Sequence, residues 1–91
     1  MERSEFLDSV AWKFGDLIAL LVATPTDKLS YYDVVDEWIY IVKRRGDKGT
    51  IIRKQAQTDS IVGDIWLVEQ WDFLYDDDSV EVKKHFYTTS R

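Results

Sequence analysis

Eleven consecutive residues without glycine or proline, Ile65-Trp66-Leu67-Val68-Glu69-Gln70-Trp71-Asp72-Phe73-Leu74-Tyr75, constrain this chain more than any other stretch. They are rich in aromatic and β-branched side chains, and Val80 to Tyr87, beyond the acidic turn Asp76-Asp77-Asp78-Ser79, alternates with period two. Both runs predict strands joined as a hairpin. A two- or four-residue loop sets Tyr75 opposite Val80, Phe73 opposite Val82, Trp71 opposite Lys84 and Glu69 opposite Phe86 on a drier face. The other face then pairs Leu74 with Glu81, Asp72 with Lys83, Gln70 with His85 and Val68 with Tyr87, and register alone predicts an Asp72–Lys83 ion pair. Glu69, on the drier face, needs either a bulge to turn it outward or an ion pair to hold it.

Upstream, Phe6, Leu7, Val10, Ala11, Phe14, Leu17, Ile18, Leu21 and Val22 recur at spacings of three and four, which predicts an amphipathic helix over about 4–23 with Ser4 as N-cap. Trp12 widens its buried face, and Gly15 is a weak point inside it. Pro25 ends the helix. Ser30 and Asp33 then have the spacing of a capping box, with Leu29 and Val34 as a staple, so a second helix is expected over about 31–45, closed by Gly46. The competing reading makes Trp38-Ile39-Tyr40-Ile41-Val42 a strand. Strands are expected over about 50–58, 61–75 and 80–87. A turn at Asp59-Ser60 would set Ile52 beside Leu67 and Arg53 beside Trp66, a cation over an indole. Arg45-Gly46-Asp47 reads as a turn rather than an adhesion signal.

The expected fold is therefore α+β: two N-terminal helices packed on one face of a three-stranded antiparallel meander, in a single domain over 1–91. At 91 residues such a domain buries only roughly 60–65% of its unfolded surface, and 45% hydrophobic content with four Trp, five Tyr and four Phe supplies the dense core this requires. Cysteine is absent, and the longest apolar run, Leu17 to Ala23, is too short to span a bilayer. With Glu5 and Asp8 where a signal peptide would be apolar, a cytoplasmic protein is expected.

The second sheet face is left open and is expected to carry the binding surface: Arg53, Trp66, Gln70, Asp72, Lys83, His85 and Tyr87, with Asp76, Asp77 and Asp78 at the hairpin tip. A net charge of −5 argues against direct nucleic-acid or membrane partners and for another protein with a basic surface. No motif implies a cofactor or metal. His85, with Lys83, Lys84, Tyr87 and Arg91, has residue types that RNA cleavage uses, and helices followed by a sheet resemble the endoribonuclease toxins of bacterial toxin-antitoxin pairs, although those are basic. In size and charge the chain is similar to small acidic inhibitors made by phages and archaeal viruses. The leading expectation is a small non-catalytic protein-interaction module, an inhibitor or nucleic-acid mimic. A ribonuclease-like enzyme using His85 and a homodimeric or larger structural subunit are the alternatives.

Overall fold

The computed structural model describes residues 1–59 and 63–90. Helices α1 (Arg3–Phe14) and α2 (Asp16–Ala23) precede five strands, β1 (Lys28–Val35), β2 (Trp38–Arg45), β3 (Lys48–Asp59), β4 (Gly63–Asp76) and β5 (Ser79–Ser90), in one antiparallel sheet of order β1-β2-β3-β4-β5. The α+β class holds, but the three-stranded meander with a second helix over 31–45 does not: that segment is the β1–β2 hairpin. The expected capping box is absent, and Asp33 instead accepts hydrogen bonds from the Val34 N–H (2.8 Å) and the Tyr31 hydroxyl (3.1 Å) within a strand. Two expectations, the turn residue Ser60 and a strand start at Ile61, fall outside the described residues.

Three of the hairpins share one device. Asp36-Glu37, Gly46-Asp47 and Asp77-Asp78 are two-residue loops whose first residue has positive φ, at 56°, 59° and 39°. A left-handed first position matches the twist of the flanking strands, and glycine or a short acidic side chain adopts it with little strain. Gly46 is thus a hairpin residue and not a helix stop.

A single residue also divides the predicted N-terminal helix. Gly15 has φ 105° and ψ 160°, its N–H closes α1 on the Ala11 carbonyl, and its carbonyl opens α2. The chain reverses there. α1 begins against the Asp77–Asp78 hairpin, where Arg3 N–H reaches the Asp78 carbonyl, and ends with the Lys13 carbonyl held by Arg53 halfway along β3. α2 runs back, bringing the Val22 carbonyl to the Tyr75 hydroxyl at 2.5 Å. Phe6, Val10 and Phe14 from α1 and Ile18 and Val22 from α2 form the core with Val42, Ile51, Trp71, Phe73, Tyr75 and Val80. Phe6 packs on Phe73 at 5.4 Å and Phe14 meets Trp71 edge-on at 5.0 Å, contacts that contribute about 0.5–1.5 kcal/mol each beyond burial. Leu17, expected on the buried stripe, faces solvent because the reversal ends the single helical phase that the periodicity assumes, and Trp12, expected to widen the buried face, lies off the Phe6–Val10–Phe14 stripe of α1 and is exposed.

Two sheet arginines finish the helices. At the end of α2 the Thr24 hydroxyl donates to the Leu20 carbonyl (2.8 Å), and α2 has no basic residue in its last turn. Arg44, buried in β2, donates to the Val22 and Thr24 carbonyls and to Gly46, and its guanidinium lies 4.9 Å from the Tyr75 ring centre. Arg53 donates to the Lys13 carbonyl and joins Lys13 in pairing with the buried Glu69, each at 3.4 Å. Trp71 Nε1–H completes the Glu69 shell at 2.9 Å. Of the two solutions the sequence allows for Glu69, the chain uses the ion pair. A guanidinium at a helix C-terminus meets the negative end of the dipole and carbonyls that lack an intrahelical donor.

Candidate functional site

Opposite residues of antiparallel neighbours point to the same side, so the register sorts the sheet into two faces. Trp38, Tyr40, Val42 and Arg44 of β2 lie under the helices with Ile51, Arg53, Glu69, Trp71 and Phe73. The opposite face carries no packed element among the described residues, and its side chains fall into cross-strand rows. One row is Tyr32–Ile41–Ile52–Gln70–His85, and the next is Val34–Ile39–Lys54–Val68–Tyr87, flanked by Ala56–Trp66–Thr89. Tyr32 is 65% exposed and Val34 52%, which is unusual for large apolar residues in consecutive positions of a sheet face.

Toward the other end the composition changes. The rows Ser30–Lys43–Thr50–Asp72–Lys83 and Lys28–Arg45–Lys48–Leu74–Glu81 line a cleft of about 680 Å³. The two rows set five cations beside it against two carboxylates, and one of the two is occupied. Asp72 accepts from Thr50 (2.9 Å), Gln70 (3.0 Å) and His85 Nε2 (3.1 Å), while Tyr87 donates its hydroxyl to Gln70 at 2.5 Å. Partial burial pushes the Asp72 pKa up, but the hydrogen bonds from Gln70, Thr50 and His85 outweigh it and hold the carboxyl below its ordinary value. The network ties β3, β4 and β5 together. His85 serves in it as a partner of Asp72.

The β4–β5 register is the one expected from the sequence, and it brings Trp66, Gln70, Asp72, Lys83, His85 and Tyr87 onto the open face, with Asp76, Asp77 and Asp78 at the adjoining tip. Two details differ. Asp72 pairs with His85 on the diagonal and not with Lys83 directly opposite. Arg53 lies on the helix side, opposite Glu69, because the β3–β4 pairing sets Ile52 against Gln70 and not Leu67. That is a shift of three residues, and an odd shift exchanges the faces. The cation over Trp66 is Lys54, 5.0 Å from the ring centre. Sequence reasoning missed Lys28, Tyr32, Ile39, Ile41, Lys43, Arg45, Lys48 and Ile52, all in segments read as loop, helix or strand of another register. Arg91, counted with the His85 group, is outside the described residues.

On the helix side a smaller cleft of about 410 Å³ lies between Trp12 and Phe86, floored by Trp71, whose indole carries the Lys84 ammonium 4.2 Å above its centre. Among the described residues, no helix is long and apolar enough to cross a membrane and no three acidic or histidine side chains are grouped to hold a metal ion. Comparison with family models, curated proteins and solved structures finds no match to this chain.

Proposed function

We propose that the chain is a non-catalytic protein-interaction module whose contact surface is the open face of the sheet. The observation that carries this reading is the pair of apolar rows through Tyr32, Ile41 and Ile52 and through Val34 and Ile39, exposed at Tyr32 and Val34 and half-buried at the three isoleucines, on strands whose other side is already packed. A sheet with helices on one side and aliphatic side chains on the other lacks one layer, and a partner element supplies it. Aromatic groups at the margin, Trp66 and Tyr87, suit the anchor positions of such interfaces. The preference for a basic partner rests on the net charge of the chain. On this face the balance is reversed, and the part that keeps an acidic character is the Asp76–Asp78 tip.

Photo-crosslinking tests the reading. A photoreactive phenylalanine replacing Tyr32 is expected to form discrete protein adducts that Ile41→Glu abolishes, while the same probe replacing Leu20 on the exposed side of α2 gives none. Equal adducts from both positions would place the contact elsewhere. The enzymatic alternative is checked in parallel: purified protein is expected to leave RNA uncut, and cleavage that is lost in a folded His85→Ala variant would replace this reading.

A further inference from the structure

The register puts three cations in direct line across three strands. Lys28 stands opposite Arg45, and Arg45 opposite Lys48, with Lys43 one row further in and Lys83 across the cleft on β5. Like charges directly opposite one another destabilise a sheet, and Arg45 and Lys48 also flank a turn of only two residues that holds them together. None of these five side chains has a salt bridge to a described residue. Nothing in the packing requires charge here, since the row faces away from the helices. A chain of net charge −5 has thus gathered repelling cations beside its apolar rows.

We infer that the cleft is an anion-binding subsite for a run of carboxylates on the partner, so that the segment covering the open face is an acidic polypeptide with an apolar end. This rests on the interaction reading above and adds the partner's chemistry to it. The apolar end of the face decides between carboxylates and phosphates. The centres of the rows next to the cations are Ile41, Ile52 and Ile39, aliphatic groups that suit aliphatic side chains, and the aromatic residues Tyr32, Tyr87 and Trp66 lie apart on β1, β5 and β4, whereas a nucleic-acid strand needs successive stacking platforms along its phosphate track. Carboxylates of the partner would meet lysine and arginine side chains on a face shared with Ser30 and Thr50, and their arrival relieves the repulsion that the free protein carries.

The test uses the whole chain and three probes: a peptide with a glutamate block followed by a leucine- and serine-rich block, its counterpart with glutamine for glutamate, and a thymidine oligonucleotide. The glutamate peptide is expected to bind the parent protein, and Arg45→Thr or the glutamine counterpart to weaken binding about tenfold. At low salt, where screening reaches only beyond about 30 Å, Arg45→Thr is expected to melt at a higher temperature than the parent, because the repelling row is broken. A lower melting temperature overturns the strained-row argument. Peptide affinity that ignores Arg45→Thr but falls in Ile41→Ser overturns the anion subsite and leaves the interaction reading standing. Tighter binding of the oligonucleotide than of the peptide overturns the choice of carboxylate. Failure of all three probes to bind counts against both readings.

Discussion

Two glycines carry different constraints. Gly15 sits at φ 105° with open space where a Cβ would be, so Gly15→Ala is opposed by backbone conformation alone, and a loss of about 1–3 kcal/mol is expected in urea denaturation. Gly49 has an ordinary φ, but a Cβ there would run into the Phe73 ring and the Lys43 carbonyl. Gly49→Ala should therefore couple to Phe73: in a double-mutant cycle with Phe73→Leu the interaction is expected to exceed about 0.5 kcal/mol, and strict additivity would contradict the packing described. Asp72 gives a pH signature. Its pKa is lower folded than unfolded, so its stabilisation is present above the unfolded carboxyl value of about 3.9 and is lost as pH falls through the folded value. Asp72→Asn is expected to lower stability at pH 7 and to have little effect near pH 2, as read from denaturation midpoints. An equal loss at both pH values would assign the effect to something other than its charge.

At the scale of elements, the β4–β5 hairpin and its register were legible because β4 is a long aromatic and β-branched run without glycine or proline and Val80 to Tyr87 of β5 alternates with period two. β1 and β2 were not, and the reason is the composition of the open face. Trp38, Tyr40 and Val42 face the helices while Ile39 and Ile41 face outward, so both sides of β2 are apolar and no period-two pattern remains. What is left is a continuous apolar run that fits helical spacing equally well, and Asp36-Glu37 lacks the glycine that advertises a hairpin. The aliphatic open face thus concealed the strand that carries it. Arg53 was misplaced for another reason: the β3–β4 register depends on a connection whose length the sequence does not fix. Its true position makes it part of the α1 anchor. Arg53→Met removes the cap on Lys13 and one partner of buried Glu69, and a loss of about 3 kcal/mol is expected in thermal or urea unfolding. A loss under about 1 kcal/mol would mean that Lys13 alone satisfies Glu69.

At the scale of the molecule, one helical layer of two short pieces serves a sheet that is longer than it. Fourteen residues of β4 extend roughly 46 Å, whereas the twelve of α1 span about 18 Å. Net charge describes such a molecule poorly, since the acidic groups collect on the helices and hairpin tips while the open face is aliphatic at one end and cationic at the other. The most direct measurement of the account is amide chemical-shift mapping as the glutamate–leucine peptide is titrated into isotopically labelled protein. The account predicts shifts that follow rows across all five strands, from Lys28, Arg45 and Lys48 through Tyr32, Ile41 and Ile52, with α1 and α2 unchanged. Shifts centred on Trp12 and Phe86, or spread evenly over both faces, would contradict it.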